Sequence, residues 1–318
     1  MTAIRLGTRA SLLATTQSQW VADRLERALG RKVDLVEVTT DGDVSTRPLA
    51  QLGGTGVFVS ALREALLDGR IDVAVHSLKD LPTQPADGIA LAAVPEREDP
   101  RDVVVARDGL TLGELPAGSR VGTGAPRRAA QLHALGLGLE IAEIRGNVDT
   151  RIRKVREGAY DAVVLARAGL ARIDRLDEAT EVLDPLQMLP APGQGALAVE
   201  TRADDVLTGE VAVLDDPHAR AAVTAERAVL ATLEGGCAAP IGVLAEVVEG
   251  DDGEELWVRA VALSPDGTLA VRMSATGAPA DAVGVGTRLA SDMLADGADQ
   301  LTEAPHEQPV TDCERQDA

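Results

Sequence analysis

The chain has 318 residues, 45 % of them hydrophobic and only 1 % aromatic, and a formal net charge of −20 at pH 7. That length supports two or three domains with cores built from Val, Leu, Ala and Ile, while the charge argues against nucleic acid and anionic membranes as partners. No apolar run reaches the length of a membrane span, and the start, Met1-Thr2-Ala3-Ile4-Arg5, lacks the pattern of a secretory signal, so a cytoplasmic location is expected.

The elements alternate. Ile4–Leu6 is predicted as a strand, followed by a helix from about Ser11 to Leu29 and a strand over Val33–Val38. A Gly-rich loop leads to a helix over Val57–Leu67, and Ile71–Val75 is a buried strand ending at His76-Ser77-Leu78-Lys79-Asp80-Leu81-Pro82. Pro95 to Asp102 is charged and bounded by Pro, as suits a hinge or crossing segment. A second unit follows: strand Arg120–Gly122, helix Pro126–Leu135, strand Leu139–Ile144, helix Thr150–Glu157 and strand Ala162–Leu165. Strands alternating with amphipathic helices are the pattern of parallel α/β domains. The stretch 67–75 (LDGRIDVAV) is echoed at 156–164 (REGAYDAVV), each a helix closing at Gly before an Asp-containing strand. The echo suggests two related domains facing each other across a cleft.

Pro190-Ala191-Pro192-Gly193-Gln194-Gly195-Ala196 reads as a second crossover, and Ala219–Leu233 as a helix. Three alternating segments, Gly242–Val248, Glu255–Ala262 and Thr268–Ser274, are joined by Asp-Gly turn signals and followed by a helix near Ala280–Ala295. The expected fold is α/β, two such units followed by a small α+β domain with a three-stranded antiparallel sheet. The polar tail 303–318 is expected to be disordered.

Polar groups collect just past the carboxyl ends of the predicted strands, the edge at which open α/β sheets bind ligands. Arg9 and Ser11 follow the first strand; Lys79 and Asp80 follow Ile71–Val75. Thr123, Arg127 and Arg128 follow Arg120–Gly122, and Arg145, Asn147 and Arg151 follow Leu139–Ile144. Several of these loops run into helices, whose free N–H groups beside Arg attract carboxylates. Any one Arg reads as a solvated surface charge; the set at matching positions points to a polyanionic small ligand. Asp80 has two open roles, general acid or counter-ion to a cationic intermediate, and His76 reads as structural. The only lysines are Lys32, Lys79 and Lys154. An acidic surface so poor in lysine and aromatics points to a halophilic cytoplasm, an acidic mesophile with a GC-rich genome being the alternative.

Cys237 sits in Leu233-Glu234-Gly235-Gly236-Cys237, where two glycines let the backbone turn sharply and expose a thiol suited to carrying a group covalently. A small buried residue is the blander reading. Cys313, the other cysteine, lies in the tail, so there is no disulfide framework.

Taken together these motifs resemble the porphobilinogen deaminase (hydroxymethylbilane synthase) family. The match runs through Arg5-Leu6-Gly7-Thr8-Arg9-Ala10-Ser11 and Gln17, the 76–82 segment, Val121-Gly122-Thr123, Arg127-Arg128, and Arg145-Gly146-Asn147-Val148-Asp149-Thr150-Arg151. It continues through the 189–196 segment, Glu226-Arg227 and the run ending at Cys237. The resemblance implies two periplasmic-binding-protein-like domains around a cleft, one over 1–95 plus 197–213 and a second over 100–190, with the α+β domain over 217–302 carrying the cofactor cysteine. It also implies a transferase that joins four porphobilinogen molecules head to tail, releasing ammonia and 1-hydroxymethylbilane in tetrapyrrole biosynthesis. The cofactor implied is a dipyrromethane on Cys237 through a thioether. Lys79, Ser77, Thr123, Arg127, Arg128, Arg145 and Asn147 are implied to bind it, and Arg9, Ser11, Gln17, Arg151 and Arg172 to bind substrate. Asp80 is the implied catalytic group, facing the azafulvenium cation left when porphobilinogen loses ammonia. No metal is implied, and a monomer is expected.

Two departures stand out: Ala125 where the family often has a hydroxyl residue, and Thr55 where Lys is common. A solute-binding protein, a ligand-sensing regulatory module and a thiol hydrolase are the competing readings. The last would need a histidine near Cys237, and His218 is the one nearby in sequence.

Overall fold

The computed structural model describes residues 2–38, 56–233, 239–250 and 253–302. Cys237, Cys313, Thr55 and the tail expected to be disordered lie outside them.

The first lobe is built on strands β1 (Ile4–Thr8), β2 (Val33–Glu37), β3 (Val73–Ser77), β4 (Ile89–Ala93) and β10 (Leu197–Arg202), in the order β2-β1-β3-β10-β4. Helix α1 (Leu12–Leu29) covers one face, where Leu6, Val21, Leu25, Val75 and Val199 form a core. Helix α2 (Gly56–Leu67) covers the other, packing Leu62 and Leu66 on Ile71 and Ala74. Ser11 caps α1 by accepting the Ala14 N–H at 3.3 Å, and Gly30, at φ 62°, closes it.

The second lobe repeats the plan with β5 (Asp102–Ala106), β6 (Arg120–Gly122), β7 (Glu140–Ala142), β8 (Ala162–Ala166) and β9 (Glu181–Val182), in the order β7-β6-β8-β5-β9. Helices α3 (Pro126–Ala134), α4 (Val148–Arg156) and α5 (Arg167–Arg172) flank it. The echo in the sequence falls on β3 and β8, which hold equivalent places in the two sheets.

Neither sheet is wholly parallel, which corrects the expectation of parallel domains. β10 runs antiparallel to β3 and β4, and β5 antiparallel to β8 and β9. Each of these strands enters directly from the opposite lobe, with no helix to turn the chain back into a parallel crossover. The strand expected at Ile71–Val75 begins two residues later. Asp72 is held instead by its side chain, which accepts from the Arg5 backbone N–H at 3.0 Å and from the Arg5 guanidinium. Asp102 is the first residue of β5 rather than the end of the hinge.

The third unit is α+β. Strands β11 (Ile241–Gly250), β12 (Gly253–Leu263) and β13 (Ala270–Gly277) form an antiparallel sheet backed by α7 (Pro217–Thr232) and α8 (Ala282–Ala295). Its core is made of small side chains, among them Ala222, Ala225, Val243, Ala260, Val285 and Leu289. The opposite face sets Leu244, Val261 and Leu263 against Ala130 and Leu189 of the second lobe. Short helices α6 (Leu207–Val211) and α9 (Ala298–Thr302) complete the chain.

Two crossing segments, 94–101 and 183–196, join the lobes. They touch at Gly195, whose carbonyl accepts from Glu98 N–H at 3.2 Å. A side chain there would bring its Cβ to 2.3 Å from the Glu98 carbonyl, and φ is +87°, so only glycine fits. Glu226 on α7 binds both crossings: Arg97 donates to it at 2.8 and 3.0 Å, and Gly193 N–H at 2.6 Å.

Candidate active site

A cavity of about 680 Å³ opens between the two lobes. The first lobe contributes Arg9, Ser11, Gln17, Ser77, Lys79 and Asp80; the second contributes Arg128, Arg145, Asn147, Arg151 and Arg172; the second crossing adds Gly193 and Gly195. The strand ends and helix starts singled out in the sequence thus converge on one space. Asn147 caps α4 by accepting the Thr150 N–H at 2.9 Å, as Ser11 caps α1. The N-termini of helices from both lobes therefore border the cavity with N–H groups suited to anions.

Lys79 and Asp80 stand in a single 3-10 turn directly after β3. Gln17 Nε2 lies 3.3 Å from Ser77 Oγ, tying α1 to the strand end. Burial and the positive charge of Arg128 pull the Lys79 ammonium down to about 8, against the opposing pull of Asp80 and Asp102. Asp80 makes no hydrogen bond to a described residue, which leaves its carboxylate available to the cavity.

Beneath this surface lies a buried ionic cluster. Asp102 is fully buried and takes Arg127 Nη2 and Arg128 Nη2, each at 2.8 Å. Burial would raise its carboxyl, but the Arg127 and Arg128 charges override that and hold it well below the usual carboxylate range. Arg127 is locked further by the Leu189 carbonyl, and Arg128 by the Val164 carbonyl at 2.9 Å. Burial lowers Arg172 to about 10; its Nη2 donates to the Gly195 carbonyl at 2.6 Å. Arg151 is lowered by burial and by Arg128.

Of the described residues singled out in the sequence, Thr123 and Arg127 do not line the cavity. Thr123 is 4 % exposed, and its hydroxyl accepts the Ala125 N–H at 3.1 Å. It thus supports the loop in which Ala125 offers no hydroxyl. Arg127 is 5 % exposed and spent on Asp102 and Leu189. It braces Arg128 from behind. His76 is buried 3.3 Å from Glu200, a structural place as expected. His218 is exposed and pairs with Glu254 at 2.8 Å. Sequence reasoning missed Asp102 and Gln194 as parts of the site. Gln194 lay in the Pro-Gly-Gln-Gly crossover, where a buried polar residue between two glycines was the available signal.

Two family models match in order. One, described as porphobilinogen deaminase, dipyromethane cofactor binding domain, covers residues 4–210; the other, porphobilinogen deaminase, C-terminal domain, covers 220–295. Porphobilinogen deaminase 1 of Streptomyces coelicolor is 57 % identical over 306 residues, 93 % of this chain and 96 % of that one. The porphobilinogen deaminase of Mycobacterium avium is 56 % identical over 313 residues, 96 % of this chain and 99 % of its own. Among solved structures, the methionine-binding protein MetQ aligns with 67 % of this chain and 89 % of that one, at 14 % identity and a TM-score of 0.43.

The residues fit a dipyrromethane bearing carboxylates. Arg128 Nε is buried without a hydrogen-bond partner among the described residues. The Lys79 ammonium donates to the Gln194 Oε1 at 3.2 Å and forms no ion pair with a described carboxylate. Guanidiniums surround the rest of the space, and a polycarboxylate satisfies all of these groups at once. With near-complete coverage by relatives and a cleft of matching charge, the chain belongs to the porphobilinogen deaminase family.

Proposed function

We propose that the chain condenses four porphobilinogen molecules head to tail, releasing ammonia and 1-hydroxymethylbilane, with Asp80 as the catalytic group and Cys237 as the anchor of the cofactor. Bound as a thioether to Cys237, the dipyrromethane supplies the pyrrole end on which the chain is lengthened. Lys79, Ser77, Arg128, Arg145 and Asn147 hold its carboxylates, with Thr123 and Arg127 acting from behind the cavity wall. Arg9, Ser11, Gln17, Arg151 and Arg172 hold the acetate and propionate of the incoming substrate. Asp80 faces the substrate ring: as an acid it helps the amine leave, and as a carboxylate it stabilises the azafulvenium cation that remains.

The observation that carries this reading is the convergence of the Lys79-Asp80 turn with guanidiniums of both lobes on one cavity. Intact mass under denaturing conditions tests the anchor. Wild type should carry the added mass of a dipyrromethane and Cys237→Ser should not; equal masses, persisting after incubation with preformed hydroxymethylbilane, would sink the assignment.

The division into domains over 1–95 plus 197–213, 100–190 and 217–302 is part of the proposal, supported by the three separate sheets. A monomeric state is carried over from the resemblance, and the lack of a disulfide framework supports a cytoplasmic location. The charge of −20 supports the lack of a nucleic-acid partner and a halophilic habit.

A further inference from the structure

Gln194 joins the two sides of the cleft through one amide. Its Oε1 lies 3.2 Å from Lys79 Nζ, in the turn after β3 of the first lobe. Its Nε2 donates to Asp102 Oδ1 at 2.7 Å, in the second lobe, and to the Pro100 carbonyl at 2.7 Å, in the first crossing. Gln194 has 0 % exposure, and its acceptor oxygen and both N–H donors are engaged. The amide therefore has one orientation. Flipped, it would set N–H groups against the ammonium and an oxygen against the carboxylate.

Five groups bear on Lys79: Arg127 and Arg128 from α3, Asp102 from β5, Asp80 from its own turn, and the Gln194 amide. Two of them repel it. Asp102, shared by two guanidiniums, still acts on the ammonium through its negative charge. Gln194 passes that charge on as an aligned dipole.

We propose that Gln194 is a positioning residue that couples Lys79, and with it the turn carrying Asp80, to the Asp102–Arg128 pair across the lobes. This rests on the reading of the cavity as the pyrrole-carboxylate site, but its test reads Lys79 itself rather than turnover.

The chain has only three lysines, Lys32, Lys79 and Lys154, so holoenzyme labelled at lysine side chains shows three titrating NMR signals, with Lys79→Arg identifying the one of interest. Gln194→Leu removes the acceptor and should lower the Lys79 titration point by about half to one pH unit. Gln194→Met keeps the length of the side chain without its amide and should lower it by a similar amount. The alkaline limb of the turnover profile should move the same way in each variant. Unchanged Lys32 and Lys154 signals confirm the fold. A Lys79 titration point that is unmoved or raised in either variant overturns the proposal. If Gln194→Leu does not fold, Gln194→Met decides alone: a lowered value supports the coupling, and an unchanged or raised one refutes it. Failure of the functional reading would show separately, in the mass of the Cys237 adduct.

Discussion

At the scale of single residues, the site divides its cations into those that line the cavity and those that hold the others in place. Arg128 lines the cavity, while Arg127, its neighbour, is spent on Asp102 and a carbonyl. Asp102→Ala should leave two buried guanidiniums without their carboxylate and lower unfolding free energy by about 3–5 kcal/mol in a urea titration. Asp80→Asn, by contrast, should leave stability and the cofactor mass intact and reduce turnover at least about a hundredfold; turnover near wild type would remove Asp80 from the mechanism. Because burial brings Lys79 to about 8, its charge is lost as pH rises through that value, and carboxylate binding with it. A bound polycarboxylate restores the charge, so binding takes up a proton in this range. Loading of apoprotein with preformed hydroxymethylbilane should therefore slow above about pH 8, and Lys79→Arg should flatten that dependence.

At the scale of elements, two N-caps serve both the helix and the cavity. Ser11 and Asn147 each satisfy a first-turn N–H, and each lines the ligand space. Ser11→Ala or Asn147→Ala should cost about 1 kcal/mol of stability, a loss that Ser11→Thr or Asn147→Asp avoids, and Ser11→Ala should also raise KM for porphobilinogen. These starts were legible because a cap residue before an apolar period is a local signal. β3 was legible as a strand but not in its register, since the Asp72–Arg5 pairing that delays it joins residues far apart in the chain. β5 and β9 gave little signal: β5 follows a charged, Pro-bounded run, and β9 is only Glu181–Val182.

At the scale of the whole molecule, Glu226 ties the third unit to both crossings. It is fully buried and accepts from Arg97, Gly193 and Ala245. Arg97→Ala leaves that carboxylate without its cation, and a loss of about 3 kcal/mol or more is expected on chemical denaturation. Gly195→Ala should also destabilise, by forcing the crossings apart at Glu98. The net charge of −20 makes self-repulsion a global cost that salt screens. The melting temperature should rise as KCl is raised from about 0.1 to 2 M; a flat or falling curve would remove the halophilic reading.

The sequence by itself determined the class of fold, the ends of most helices, most of the positions that converge on the cavity and the family, because caps, glycine turns and motif order are encoded within short stretches. What only the tertiary structure decided is which of those charges face the cavity. Arg127 and Arg128 are adjacent and alike in sequence. They part because Asp102, which arrives from a crossing segment and enters its sheet antiparallel, needs two buried partners, and the packing of Leu189 and Val164 assigns each guanidinium its side. Gln194 gains its place the same way, since an amide bridging Lys79 and Asp102 exists only once two lobes and the chain between them have closed on one another.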